Sequence, residues 1–555
     1  MRNRKARYAV LAAATAMTLV LSACTHSDNG DDQVHQGPYG TLNVGMSILG
    51  AYSCSPRLTE SAVAGRAIET SGAYETLVNL DNKGNYVPLL ADSWETAPDG
   101  VTWTFHLHHG VQFNKGYGEM TSDDVVYSLE QHAADGSLNG NVGSLKRLFK
   151  SVTAVDRYTV QINTGTPQAD LLAFLRGDIA GAAYIVSKKQ ADEVGEDNLA
   201  NVGCAGTGPW EFVEAKTGQY WKFQAVPNHW RKTPDFQYLV LWEVPEEATR
   251  VASFQTGDLD VILASPDSLN TLKSDPAVQI MTPGSGVDFH LGFYGNYYVK
   301  NWPGYDPSLP YVSSNPDPNS PEWQRAVLVR RAMSIAIDRD SIVKNLLGGA
   351  GEPTALWGWG PTKSELDPDE VWKFDPDQAK QLLTQAGYPN GFSLTLDVRI
   401  AGAPAEVQAC QAIATMWNNI GLKVTFRNQP NDAIRTQLVD RSFNGIVCQA
   451  VGDVPEPINQ YVNWALSTAG FSGGIEHPVL DDLITRAAHE VDPAKRLDLE
   501  KQIAQFTYDN ALDAGVYRAF VQWPLGPNVG DWSDHMAFGD GRILASLEYA
   551  KHRDA

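Results

Sequence analysis

Leu90-Ala91-Asp92-Ser93-Trp94-Glu95 leads into Asp99-Gly100-Val101-Thr102-Trp103-Thr104-Phe105-His106-Leu107-His108, then Gly110-Val111-Gln112-Phe113 and Thr121-Ser122-Asp123-Asp124-Val125-Val126-Tyr127-Ser128-Leu129. Trp103, Phe105 and Leu107 alternate with Thr104, His106 and His108, the two-residue period of a half-buried strand, and Gly110 ends it. Thr121, with Asp124 three residues on, forms a capping box ahead of an apolar run and predicts a helix start. A strand followed by a capped helix points to an α/β fold.

Outward from there, Thr41-Leu42-Asn43-Val44-Gly45-Met46 alternates like an opening strand. Gly72 to Val78 and Tyr86 to Leu90 flank a turn at Asp81–Gly84. Asp375 is predicted to cap a helix with Pro376 at its first position and Gly387 past its end. Val407, Cys410, Ile413, Trp417 and Ile420 fall at spacings of three and four, one helical face, and Gly421 ends that helix. Asn301 to Pro321, rich in Pro, Asn and Ser, reads as a long surface loop before a helix around Val327–Ile337. Strands alternating with helices, without a repeat of about 20–50 residues, argue for α/β lobes rather than a solenoid or an all-β sandwich.

The N-terminus reads as an export signal. Arg2, Arg4, Lys5 and Arg7 form a basic start, Ala9 to Leu21 is apolar but short for a bilayer span, and Leu21-Ser22-Ala23-Cys24 closes it with small residues before a cysteine. Thr25 to Tyr39 is polar and rich in Gly, Asp and Gln, as a flexible tether is. Removing residues 1–23 leaves 532 of 555 residues, enough for two or three lobes, and no later segment is apolar and long enough to cross a membrane. Losing the four basic residues of the signal takes the formal charge from −22 to −26, which disfavours nucleic acid and anionic headgroups as partners. The 15 tryptophans exceed what a core usually needs and suit a pocket that encloses ligands.

Beyond Cys24 the cysteines are Cys54, Cys204, Cys410 and Cys448. None are two or three residues apart, so zinc-knuckle and C-x-x-C redox readings fail. An even number in an exported chain suggests disulfides; three connectivities are open, with buried free thiols as the alternative.

Leu21–Cys24 resembles a bacterial lipobox, which implies that Cys24 takes a diacylglycerol and becomes the mature N-terminus of a lipid-anchored, extracytoplasmic protein. Several segments, in order, resemble the family-5 extracellular solute-binding proteins that feed peptide and nickel ABC importers. The first is the stretch from Leu90 to Ser128 quoted above. The second is Gly206-Thr207-Gly208-Pro209-Trp210 with Asn228-His229-Trp230-Arg231 and Gly257-Asp258-Leu259-Asp260. The third is Val329-Arg330-Arg331-Ala332 to Ala336-Ile337-Asp338-Arg339, and the fourth Ala386-Gly387-Tyr388-Pro389-Asn390-Gly391-Phe392. The chain departs from the family at His108-His109, where Arg-Lys is common, and at Cys54-Ser55-Pro56, where Asp-Pro is usual.

The resemblance implies an α/β, two-lobe periplasmic-binding-protein-like fold (type II, cluster C), with two crossing segments and an extra subdomain inserted in lobe I. Mapped onto this chain, a signal peptide (1–23) and tether (24–40) precede lobe I (41–78, 207–285 and 518–550), the inserted subdomain (79–206) and lobe II (286–517). That map places Cys54–Cys204 and Cys410–Cys448 each within one lobe, which favours this pairing. The implied role is the substrate-binding lipoprotein of an ABC importer, a monomer without a cofactor. It captures an oligopeptide or dipeptide by hinge closure and presents it to the permease and ATPase complex. Within the same fold, an oligosaccharide or a nickel or other metal chelate is the alternative cargo.

Val451-Gly452-Asp453-Val454-Pro455-Glu456-Pro457 follows a strand-like run, Phe443 to Ala450, and resembles the family segment whose acidic residue holds a peptide's α-amino group. Asp453 is therefore the implied amine ligand, since a carboxylate in a closed cleft needs a positive partner; a solvated loop aspartate is the alternative. Trp357-Gly358-Trp359-Gly360-Pro361 interleaves two large aromatics with glycine, which makes Trp357 and Trp359 candidates to line the pocket, against interlobe packing. Val287 to Tyr294 marks the crossover into lobe II, with Tyr294 and His290 as candidates to face ligand. A peptide carboxylate needs a cation, for which Arg399 and Arg435 qualify. Other signature residues have structural explanations: Trp94 and Trp103 fill core, and Arg330 and Asp338 pin helices.

Two rival chemistries are weak. His106 and His108 share a strand face, but a third ligand is missing and no metal is expected. Gly470-Phe471-Ser472-Gly473-Gly474 matches the G-x-S-x-G pattern, yet a nucleophile elbow needs a strand before it and a helix starting at it. Asn463–Thr468 precedes it, and His477-Pro478 intervenes before a helix at Val479–Ala487, which disfavours an extracellular serine hydrolase.

Overall fold

The structure is a computed structural model describing residues 39–47, 49, 52–58, 72–139, 141–177, 183–282, 286–298, 302–357, 372–400, 403–452, 457–469, 472–536 and 543–553. Cys24, Trp359 and Asp453 lie outside these residues.

The chain opens with β1 (Tyr39–Met46), whose Leu42 and Val44 are buried. It then builds an antiparallel sheet from β2 (Ala91–Thr96), β3 (Thr102–Leu107), β4 (Ser151–Asp156) and β5 (Thr159–Asn163), in spatial order β2-β3-β5-β4. On β3, Trp103, Phe105 and Leu107 are buried and His106 is exposed, as the two-residue alternation predicts; Trp94 is half-buried against the same core. Helix α1 (Ser122–His132) starts at Thr121 with its capping box formed, the Thr121 N–H donating to Asp124 Oδ2 at 2.9 Å. Helix α2 (Val142–Leu148) packs Leu145 and Leu148 into the same core.

Strands β6 (Trp210–Lys216), β7 (Tyr220–Ala225), β8 (Phe236–Glu243), β9 (Val261–Ile262) and β10 (Gln279–Met281) then join β1. A second large sheet follows: β11 (Gly286–Phe293), β12 (Gly351–Pro353), β13 (Ser393–Ile400), β14 (Lys423–Pro430), β15 (Ile446–Gly452) and β16 (Asp513–Phe520). Its spatial order is β12-β16-β11-β15-β13-β14, with β11 antiparallel to both neighbours and β13 parallel to both. Finally β17 (Trp523–Leu525) returns to the first sheet, whose order is β6-β7-β8-β1-β9-β17-β10. The backbone thus passes between the two sheets twice, after β10 and after β16. β15 begins at Ile446 rather than Phe443; the Phe443 ring packs in an apolar cluster with Tyr294, Tyr297 and Val447.

Helices α3 (Pro321–Ile335), α4 (Pro376–Gln385) and α5 (Glu406–Asn419) cover one face of the six-stranded sheet. Asp375 caps α4 by accepting the Gln378 N–H (2.8 Å), and Gly387, at φ +91°, ends it in a conformation that other residues rarely adopt. A disulfide joins Cys410 of α5 to Cys448 of β15, and a second joins Cys54 to Cys204. Helices α6 (Asn431–Val439), α7 (Pro457–Trp464), α8 (Pro478–His489) and α9 (Pro493–Asp509) follow. Buried Arg330 donates to the carbonyls of Asn510 and Tyr311, and Asp338 caps the next helix through the Ser341 N–H. No helix among the described residues is long and apolar enough to cross a membrane.

Candidate functional site

The six-stranded sheet has two unlike faces, because successive side chains of a strand point to opposite sides. Phe289, Leu291 and Phe293 of β11, Leu396 and Val398 of β13, and Ile446 and Cys448 of β15 enter the core under α3, α4 and α5. The alternate positions carry polar groups that are nonetheless buried: Asp288 and His290, Asp397 and Arg399, and Gln449. Register aligns part of them into a row across five strands, with Gln429 beside Arg399, Gln449 beside His290, and His290 beside Gly515. Arg399 Nη1 donates to Gln449 Oε1 (3.3 Å), Gln449 Nε2 to the Tyr294 hydroxyl (3.0 Å), and that hydroxyl to the Ser472 carbonyl (3.3 Å).

Glycine at 515 shapes the end of this row. A Cβ there would lie 2.7 Å from the backbone of Ala355 and Leu356, so only glycine lets that segment cross β16. The crossing delivers Trp357 onto His290, with ring centroids 5.2 Å apart. Fully buried Asp513 fixes both residues: Oδ1 accepts from His290 Nδ1 (2.6 Å) and Oδ2 from the Trp357 backbone N–H (3.1 Å). From α7, Tyr461 and Trp464 approach Trp357 at 5.6 and 6.1 Å, and the Arg399 guanidinium lies over the Trp464 ring at 5.5 Å. Among the described residues, His290 Nε2 and Trp357 Nε1 are buried without a hydrogen-bond partner. An unpaired buried polar atom costs about 1–3 kcal/mol, so a ligand group reaching either would gain correspondingly.

Burial holds the Arg399 guanidinium below its ordinary pKa; Arg435 on α6 adds to this, while Tyr294 and Glu406 oppose it. The Arg399 guanidinium is thus a desolvated cation lying over an indole ring. A carboxylate matches the planar fork of an arginine through paired, charge-assisted hydrogen bonds. Burial also pushes the Tyr294 hydroxyl far above the ordinary phenol range, which keeps it a neutral donor and acceptor.

Of the residues singled out in the sequence, His290, Tyr294, Trp357 and Arg399 meet at this row, and Arg435, on α6, is near enough to depress the Arg399 pKa. Asp453 directly follows β15 in the chain and Trp359 follows Trp357 by two residues, both outside the described residues. Sequence reasoning passed over Gln449, Asp513, Gly515 and Trp464. The available signal was a lone charge inside an apolar strand: Leu512-Asp513-Ala514-Gly515-Val516-Tyr517 is one such run. Ser472 is buried, its Oγ accepting the Gly474 N–H (3.3 Å). Both His477 nitrogens are engaged, Nδ1 by the Val479 N–H (3.1 Å) and Nε2 by the Pro316 carbonyl (2.7 Å), so that histidine is no base for the serine.

The sequence model of the bacterial extracellular solute-binding proteins, family 5, middle region, matches residues 85–472. A heme-binding protein A from Haemophilus influenzae is 26% identical over 551 residues, covering 93% of this chain and 94% of that relative. A dipeptide-binding protein from Escherichia coli is 27% identical over 476 residues, covering 80% and 83%. Among solved structures, the periplasmic binding protein DppA from Helicobacter pylori, in complex with a peptide, is similar with a TM-score of 0.70 at 22% identity, covering 91% and 97%.

Proposed function

Because the chain belongs to the bacterial extracellular solute-binding proteins of family 5, we propose that it captures short peptides and delivers them to an ABC permease, tethered to the cell membrane by a diacylglycerol on Cys24. It is an extracytoplasmic binding component of transport and not an enzyme. The observation that carries the peptide reading is the buried Arg399 guanidinium set over the Trp464 ring, which itself packs against Trp357. This supports a seat for a ligand carboxylate. Asp453, the residue after Gly452 in the sequence, supplies the opposite charge for a ligand amine. A zwitterionic peptide meets both demands, whereas a neutral sugar meets neither. The seven- and six-stranded sheets form the cores of lobe I (41–78, 207–285 and 518–550) and lobe II (286–517), with 79–206 inserted. The two crossings between the sheets serve as the hinge.

Calorimetric titration of trialanine against its N-acetyl and C-amide derivatives tests this. Binding of trialanine that is weakened by either block supports the reading, and equal affinity for the doubly blocked peptide sinks it. Cys24→Ala should release the protein from the membrane fraction or leave an uncleaved precursor. A second reading is heme. It is favoured by the relation to the Haemophilus influenzae protein along nearly the whole chain and by the unpaired Nε2 of His290. Hemin binding that shifts the heme absorption band, and loses the shift in His290→Gln, would replace peptide by heme as the cargo.

A further inference from the structure

The subdomain built on β2–β5 reaches across to the helices beside the six-stranded sheet. The Ala169 N–H donates to the Ala488 carbonyl at the end of α8 (2.9 Å). Ser144 Oγ on α2 donates to Asn463 Oδ1 on α7 (3.1 Å), two residues 319 apart in sequence. Gly100 packs so closely that a Cβ there would stand 2.8 Å from Val491 Cγ1 and 3.2 Å from Pro167. The loop that presents Ala169 is braced from behind, Arg147 of α2 donating to Asp170 Oδ2 (2.6 Å).

On the far side of this contact, α7 is also part of the ligand site. Asn463 precedes Trp464, the ring under Arg399, and Gln460 Nε2 of the same helix donates to the Gly452 carbonyl at the end of β15 (3.4 Å). One two-turn helix is thus held by the subdomain on one side and by the cationic, indole-lined row on the other.

We propose that the four-stranded subdomain is a closing jaw of the binding cleft, with Ser144 and Asn463 as positioning residues: by docking on α7 and α8 it fixes Trp464 against Arg399 and slows ligand escape. Ordering a helix that ligand also needs ordered couples the two events, because whichever comes first removes part of the cost of the other. The jaw rests on the peptide reading only for the identity of the ligand; the docking does not.

Hydrogen exchange of the full chain without ligand tests the docking, and stopped-flow dissociation of trialanine tests its consequence. Ser144→Ala and Val491→Asp should each speed exchange of the Ala169 amide and of the α7 amides. They should also raise the trialanine dissociation rate by about tenfold, with the association rate unchanged. Ser144→Thr, which keeps the hydroxyl, should behave as wild type. Unchanged exchange in both disruptive variants overturns the docking, and faster exchange with unchanged dissociation overturns the positioning role. If wild type binds no trialanine, the peptide reading fails; exchange of the α7 amides then decides the jaw by itself.

Discussion

Arg231 and Arg399 are both largely buried cations, one ahead of β8 in the seven-stranded sheet and one on β13 of the six-stranded sheet, and their surroundings are opposite. Arg231 lies between two buried carboxylates: Nη2 meets Glu75 Oε1 at 2.8 Å and Nη1 meets Glu548 Oε1 at 2.9 Å, with the Tyr549 hydroxyl at 2.8 Å. Burial alone would lower its pKa, but Glu548 and Glu75 together drive it above the ordinary value. Arg399 meets an amide oxygen and an indole face, and burial, aided by Arg435, leaves it below the ordinary value. Two carboxylates thus hold the arginine of the seven-stranded sheet, while burial dominates at the arginine of the six-stranded sheet. The first arrangement belongs to architecture; the second is where the proposed function seats a ligand carboxylate.

The largest expected effect breaks the saturated cluster. Arg231→Met leaves Glu75 and Glu548 facing each other without their cation and should destabilise the protein by about 3–5 kcal/mol in chemical denaturation. Arg399→Met should cost less stability than Arg231→Met, which strips the cation from two carboxylates at once. Trialanine affinity should nevertheless fall by about 2–4 kcal/mol by calorimetry. If both variants lose stability equally, the contrast is one of degree and Arg399 is a structural residue.

Asp513→Asn sharpens the same contrast on a smaller scale. Its carboxylate accepts from His290 Nδ1 and the Trp357 backbone at once, and a carboxamide offers only one acceptor for two donors. Trialanine affinity should weaken by about 1–3 kcal/mol. A cycle with His290→Gln should give less than the sum of the single effects, because both changes release the same pair of rings. Full additivity would separate Asp513 from the site.

How these residues come together explains what a reading of the sequence can and cannot deliver. The capping box at Thr121–Asp124, the alternation through Trp103–Leu107 and the Asp375-Pro376 helix start each depend on neighbours within a few positions, so they are legible directly. Trp357 is visible from its spacing with glycine. The row Gln429–Arg399–Gln449–His290–Gly515 is another matter. It takes one position from each of five strands, and only the register of pairing, which a sequence does not display, puts them side by side. Gly515 reads as a weak strand residue until the segment crossing over it is seen. Cationic candidates could be named from the chemistry of a peptide. What separates Arg399 from the saturated Arg231 is the charge of residues up to 317 positions away.

Arg441 stands between the two extremes, and the smallest prediction tests it. Its Nε meets Glu476 Oε1 at 3.0 Å and its guanidinium lies over the Trp302 ring, one cation for one carboxylate. Burial raises the Glu476 carboxyl from 4.5 to about 7, against the pull of Arg441 and of its hydrogen bond to Ser472. The folded state therefore holds a proton that the unfolded chain gives up near the ordinary carboxylate pKa. A raised carboxylate contributes stability that is fully present below about pH 4.5 and is lost as pH climbs through about 7. Wild type should accordingly lose on the order of 2 kcal/mol relative to Glu476→Gln between pH 5 and pH 8. The difference between the two proteins removes the contributions of all other titrating groups, including those lowered carboxylates that act in the opposite direction. Urea denaturation at half-unit pH intervals gives the difference directly. A flat difference would mean that Arg441 satisfies Glu476 as fully as Glu75 and Glu548 satisfy Arg231. One carboxylate would then be enough to hold a buried arginine as firmly as two.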